Sequence, residues 1–176
     1  VVIGEPAVSR SNKKEIFIRP LLLGAIVHSR PVAVYYGGSG GQTSTRVFAG
    51  ANDGMLHAFD GDGNEKWAYI PSNALPSIGD LATSTTPLIV FNATVDGPIT
   101  LLHIDQSHDG IINGGEDAYL IFGYRRGATG YTVIDVSNPD TPKFVQNINV
   151  DGGYSFGKAV VFRKCNKPEG CSYADH

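Results

Sequence analysis

Short apolar runs, each stopped after a few residues by glycine, proline or an Asx-Gly pair, set the tightest limit on how this chain folds. Arg46–Ala51 and Met55–Asp60 flank Asn52-Asp53-Gly54, a hairpin turn whose Asp-Gly suits positive φ. A third run, Glu65–Ile70, follows the turn Gly61-Asp62-Gly63-Asn64. The 22 Gly, 10 Pro, 8 Tyr and 8 Phe extend this bias along the whole chain and favour strands and tight turns over helices. The expected fold class is therefore all-β. Further strands are expected at Leu21–Val27, Pro31–Tyr36, Leu88–Asn92, Ile99–Ile104, Ala118–Gly123 and Tyr131–Val136, with a flexible loop over Gly37–Thr45. Leu75, Ile78 and Leu81 allow either a short amphipathic helix or an anchored loop between Pro71 and Pro87.

The strand pattern repeats. Val47–Asp60 echoes Ile121–Asp135, and each copy runs strand, turn, strand ending in Asp, turn, then a third β-type segment, Glu65–Ile70 in one and Lys143–Ile148 in the other. Repeats of this kind point to a β-propeller, whose blades take about 40–50 residues each. On that scale residues 1–176 form a single region of about three to four blades, part of a larger propeller, because a closed ring needs about four to eight. The chain also begins with Val1, as a trimmed or partial product would.

Between two of the strand runs lies the strongest chemical signal, the twelve residues Asp105–Glu116. Asp105, Ser107, Asp109, Asn113 and Glu116 put oxygen donors at positions one, three, five, nine and twelve, and Gly110 sits at six, where the chain must turn around an ion. Ile111 at position seven would offer its backbone carbonyl, and Ile112 an apolar anchor. Three carboxylates this close repel one another unless neutralised, and calcium takes six to eight hard oxygens. The loop is thus read as a calcium site in a β setting; magnesium, with its tighter octahedron and retained waters, suits it less. The competing acidic run Asp60–Glu65 has no downstream glutamate at the required position and is read as a turn.

Other chemistry is thin. His57 and His103 fall in strand patterns and read as hydrogen-bonded structural residues, and no nucleophile elbow or phosphate-cradling loop occurs. With 14 Lys and Arg against 17 Asp and Glu, and only isolated pairs such as Lys13-Lys14 and Arg125-Arg126, no nucleic-acid partner is expected. No apolar run approaches the ~20 residues of a membrane-spanning helix. Cys165 and Cys171 enclose a turn-forming loop that allows a disulfide, two free thiols, or a zinc site with His176.

Leu23–Val32, Arg46–Asp60 and Glu65–Pro71, continued by Val95-Asp96-Gly97, Phe122–Gly127 and Gly130–Pro139, resemble the propeller of the PilC/PilY type IV pilus tip adhesins. That resemblance covers about residues 21–160, and the run Ala51-Asn52-Asp53-Gly54-Met55-Leu56-His57-Ala58-Phe59-Asp60 is its most specific part. It implies a non-enzymatic, extracellular, outer-membrane-associated protein of the Gram-negative pilus tip. It also implies as partners pilin or minor pilin subunits, a host or abiotic surface and the rest of the parent propeller, with roles in pilus assembly, calcium-tied extension and retraction, attachment and twitching. Two alternatives stand beside it. Pyrroloquinoline-quinone dehydrogenase propellers share similar blade strands and a calcium ion, but resemble one another in a tryptophan motif in nearly every blade, where this chain has only Trp67. The other alternative is a passive structural filament component.

Overall fold

The computed structural model describes residues 2–4, 23–76, 78, 94–151 and 153–162. In chain order its strands are β1 (Val2–Gly4), β2 (Val32–Gly37), β3 (Thr43–Gly50), β4 (Leu56–Asp60), β5 (Glu65–Ile70), β6 (Ile99–His103), β7 (Ile111–Ile112), β8 (Ala118–Gly123), β9 (Arg125–Thr129), β10 (Tyr131–Asp135), β11 (Lys143–Ile148) and β12 (Tyr154–Ser155). The glycine-rich stretch after β2 is only partly loop: a 3-10 turn at Ser39–Gly41 leads directly into β3, which starts at Thr43. A second 3-10 turn, Ser72–Ala74, follows Pro71; most of the segment expected as either a short helix or an anchored loop, the strand at Leu88–Asn92 and both cysteines lie outside the described residues.

The internal repeat is real at the level of three strands. β3, β4 and β5 form an antiparallel meander, and β8, β10 and β11 form another, with β9 inserted between its first two strands. Each copy carries an irregularity at the same place, between Ala58 and Phe59 in one and between Val133 and Ile134 in the other. The aspartate that ends each middle strand ties down the following turn. Asp60 Oδ1 accepts from Asp62 N at 3.0 Å and Asn64 N at 2.8 Å, and Asp135 Oδ1 accepts from Ser137 N at 2.8 Å and Ser137 Oγ at 2.6 Å. Such short carboxylates fix turns because they reach their own backbone two residues on.

The expected partial propeller is not what the strands build. Among the described residues they lie in three open sheets of six, four and two strands, with orders β1-β5-β4-β3-β2-β7, β11-β10-β8-β6 and β12-β9, and none of these closes into a ring or barrel. The physical reason is visible at the ends of the first meander. There β1 adds to β5, and β2 adds to β3 and carries β7; the β1 and β7 pairings are parallel, so this sheet outgrows the four-stranded antiparallel blade that radial repetition requires. The chain is mostly β, as its glycine-punctuated runs require.

The expected strand at Leu21–Val27 is also corrected: the described residues 23–30 form none. They lie instead against the β3–β4 hairpin, held by Asn52 N to Ala25 O (3.1 Å), Gly24 N to Asp53 Oδ2 (3.1 Å) and Gly50 N to Ser29 Oγ (2.9 Å).

One core joins the two larger sheets. Val34, Phe48, Leu56 and Trp67 from the first are buried with Leu120, Phe122 and Ile134 from the second. Removing a leucine or phenylalanine side chain from water stabilises by about 1.5–3 kcal/mol, so this cluster is the main source of cohesion. Directional bonds then fix how the sheets sit. Tyr36 Oη donates to Val136 O at 2.8 Å, Trp67 Nε1 donates to Pro139 O at 2.8 Å, and Arg46 pairs with Asp140 at 2.8 Å.

Candidate metal centre

The Asp105–Glu116 loop leaves β6 and returns through β7 to β8, so both of its ends are anchored in sheets. Ile104 N donates to Asp117 O at 2.8 Å and closes its neck. Within it β7 pairs in parallel with β2, Tyr35 opposite Ile111 and Tyr36 opposite Ile112, and Ile112 is buried in the core as the apolar anchor. Two glycines make this path possible. Gly110 has φ +73°, a left-handed conformation that side chains other than glycine rarely adopt, and a Cβ on Gly37 of β2 would overlap Asn113 Oδ1.

Inside the loop the six residues read from the sequence are drawn together by hydrogen bonds. Asp105 Oδ2 accepts from Gly110 N at 2.9 Å, while its Oδ1 accepts from Asp109 N and Ser107 Oγ, both at 3.3 Å. Ser107 Oγ also lies 3.0 Å from Glu116 Oε1. Asp109 is held at one oxygen by Ile111 N (2.8 Å) and at the other by Asn113 Nδ2 (3.0 Å). The same Nδ2 reaches Ser107 Oγ at 3.3 Å and the Ile111 carbonyl at 3.1 Å, so the amide of Asn113 stands at the centre of the oxygen set.

Glu116 is the buried member. Its Oε1 accepts from Gln106 N and Ser107 N, both at 2.9 Å, and its Oε2 accepts from Asn113 N at 3.0 Å. These amides, Asn113 and Ser107 foremost, favour the charged form and hold the Glu116 carboxyl down at about 2. The Asp105 carboxyl is likewise lowered, mainly by the Gly110 amide, with the amides of His108 and Asp109 and the nearby His103 adding to the effect. Both groups therefore remain carboxylates across the physiological range, as metal ligands must.

His103, hydrogen-bonded as its strand position suggests, finds its partner inside the loop. At the end of β6 its Nε2 lies 3.2 Å from Glu116 Oε2, and ligand atoms of His103, Asp105 and Glu116 all fall within 4.8 Å of one another. The only sequence signal was its position two residues before Asp105. The donor set of carboxylates, hydroxyl, amide and backbone carbonyl suits a hard cation, with one imidazole at its edge.

A second cluster has a different character. His57, fully buried on β4, places Nε2 3.1 Å from Asp53 and Nδ1 2.7 Å from Glu65 Oε1. With a carboxylate at each ring nitrogen both can donate only as imidazolium. Burial opposes that charge, but the bonds to Asp53 and Glu65 outweigh it and raise the His57 pKa. The Asp60–Glu65 segment is a turn closed on the Asp60 carboxylate, as the sequence suggests.

No protein-family model matches the chain. Among curated proteins it is similar to the type IV pilus biogenesis factor PilY1 of Pseudomonas aeruginosa, 37% identical over 125 residues that cover 69% of this chain and 10% of that protein. It is also similar to a PilY1 homolog of Xylella fastidiosa, 34% identical over 122 residues, 65% of this chain and 8% of that protein. A solved structure, the C-terminal domain of Pseudomonas aeruginosa PilY1, is 37% identical over 68% of this chain and 22% of its own, with a TM-score of 0.47. The chain thus spans about a tenth of the curated relatives it matches.

Proposed function

Because the chain belongs to the PilY1 family of type IV pilus biogenesis factors, we propose that it is the metal-binding region of such a factor, acting outside the cell at the pilus tip in pilus assembly, extension and retraction, and surface attachment. Its partners in this reading are pilin or minor pilin subunits, a host or abiotic surface and the remainder of the parent protein. The role is mechanical and needs no catalysis. Asp105, Ser107, Asp109, Asn113 and Glu116, with the Ile111 carbonyl, hold calcium.

The observation that carries this reading is the convergence of these six residues in one hydrogen-bonded loop tied at both ends to sheets. Mutual repulsion of Asp105, Asp109 and Glu116 is relieved when a divalent cation replaces the amide hydrogens that now separate their oxygens. Turning the Asn113 amide over would bring its Oδ1 to the position that Nδ2 holds. The loop then braces β2, β6 and β8 together, which orders the face these strands present to a partner. His103, 3.2 Å from Glu116, orients that carboxylate from outside the oxygen set.

The clustering of His103 with Asp105 and Glu116 supports a second reading, zinc, since a nitrogen and two carboxylates suit that ion. Titrating calcium and zinc into the chain, with His103→Phe alongside, separates the two: calcium binding survives the substitution and zinc binding does not. The functional half is tested by placing Asp105→Ala with Glu116→Gln in the parent protein and scoring pilus assembly and adhesion at varied calcium. Unchanged assembly and adhesion would overturn the proposed role.

A further inference from the structure

At a site apart from the metal loop, two abutting clefts of about 490 and 540 Å³ share His28, Arg125 and Phe156 as walls. Four permanent cations line them, Arg125, Arg126, Arg30 and Lys158, against the single carboxylate of Asp96, in a chain whose net charge is -3. Among the described residues Arg30, Arg126 and Lys158 have no ion-pair partner. Local charge here is therefore opposite in sign to that of the whole chain.

The one carboxylate is structural. Asp96 is buried, with 3% of its side chain exposed; it accepts from His28 N at 2.9 Å, meets His28 Nδ1 at 2.6 Å and lies 3.6 Å from Arg125 Nε. It therefore fixes His28 and the inner edge of the Arg125 guanidinium. Arg125 is held a second way, its guanidinium 5.2 Å from the Phe156 ring centroid, a cation–π geometry. Its backbone is also in the left-handed region, φ 52°, an uncommon conformation for a residue with a side chain. Residues kept in such conformations concentrate at ligand-binding positions, where the surroundings impose them.

We propose that this cleft binds an acidic peptide segment, seating a Glu or Asp carboxylate on Arg125 with Arg126 and Lys158 around it. Three features favour a peptide over another polyanion. The preset guanidinium plane matches a carboxylate, which arginine takes through two parallel bonds. Half-exposed Phe156 and Val27 supply apolar walls for a neighbouring side chain. Asn52, which also lines the cleft, carries a side-chain amide whose Oδ1 has no hydrogen-bond partner, a polar group suited to a peptide backbone at the cleft wall. The assignment is independent of the metal loop.

The test is fluorescence anisotropy of a labelled peptide of alternating Glu and Leu, titrated with the 176-residue chain at low and high salt. Salt-sensitive binding is expected, weakened about tenfold or more by Arg125→Gln. A second variant, Arg126→Gln with Lys158→Gln, touches no described ion pair; it is expected to weaken binding about tenfold at an unchanged melting temperature. Chelator is expected to leave the affinity unchanged. No binding by the folded wild-type chain, or full affinity in the double variant, overturns the proposal. So does polygalacturonate binding through these residues while the peptide does not bind.

Discussion

Substituting Gly37 by alanine tests whether the metal loop depends on its seat against β2. A Cβ there would overlap Asn113 Oδ1 and lie 3.4 Å from Asn113 Cγ, while Ile111 Cγ2 at 3.6 Å is an ordinary contact. Asn113 therefore has to move, by about 1 Å to regain van der Waals distance. Its Nδ2 bonds to Asp109, Ile111 and Ser107, now 3.0 to 3.3 Å, would then stretch past useful length. Each is worth about 0.5–1.5 kcal/mol, and in this exposed loop the lower end applies, giving a loss of about 1–2 kcal/mol. The reduced freedom of the unfolded chain returns about 0.4–1 kcal/mol. A net loss near 1 kcal/mol lowers the melting temperature by about 2–4 °C in a chain of this size. Calcium affinity is more sensitive, because Asn113 is a ligand in the proposed site, and is expected to fall about tenfold by calorimetry. A Gly37→Ala chain with wild-type melting temperature and calcium affinity would refute the reasoning.

Gly110→Ala should cost about 1–2 kcal/mol through its left-handed backbone alone, since a Cβ there meets nothing within 4 Å, and it should weaken calcium binding; urea titration with and without calcium reads both. Acid unfolding of the calcium-free chain should reflect Glu116. Its folded value of about 2 lies below the ordinary 4.5, so its stabilisation is complete above about pH 4.5 and is lost as pH falls toward 2. His57 acts in the opposite sense: its raised pKa gives stabilisation that is full below about 6.5 and fades as pH rises through the folded value, an effect that His57→Gln removes from the melting profile. Trp67→Phe, which leaves the Pro139 carbonyl without its 2.8 Å donor, should cost about 1–2 kcal/mol in urea unfolding followed by circular dichroism.

Local rules made the two meanders readable. Asp-Gly turns, apolar runs and the aspartates Asp60 and Asp135 announce three strands twice, and the shared register irregularity shows that the echo extends to backbone detail. The candidate metal loop draws its oxygen-bearing side chains, glycine and apolar anchor from spacing within twelve residues, so its hydrogen-bonded shape follows from local rules too. What failed was long-range. The parallel partnerships of β1 with β5 and of β7 with β2 join segments far apart in sequence, and they turn an expected blade into a six-stranded sheet. Leu23–Val27 has the composition of a strand yet packs as an irregular segment, because Asp53, Asn52 and Ser29 satisfy its contacts with the hairpin. β9, with Arg125, Arg126 and Gly127, lacks any strand signature and exists through its pairing with β12. His103 reads from the sequence as a hydrogen-bonded structural residue, and its partner was not legible because only the return of Glu116 across the loop neck brings a carboxylate to it.

Calorimetric titration of calcium into the chelator-treated chain, beside Asp109→Ala, tests the proposed calcium site at Asp105–Glu116 most directly. Binding of about one ion per chain, a raised melting temperature on binding, and loss of both in the variant are expected. A folded wild-type chain that takes up no calcium, or an Asp109→Ala chain that binds as well as wild type, would contradict it.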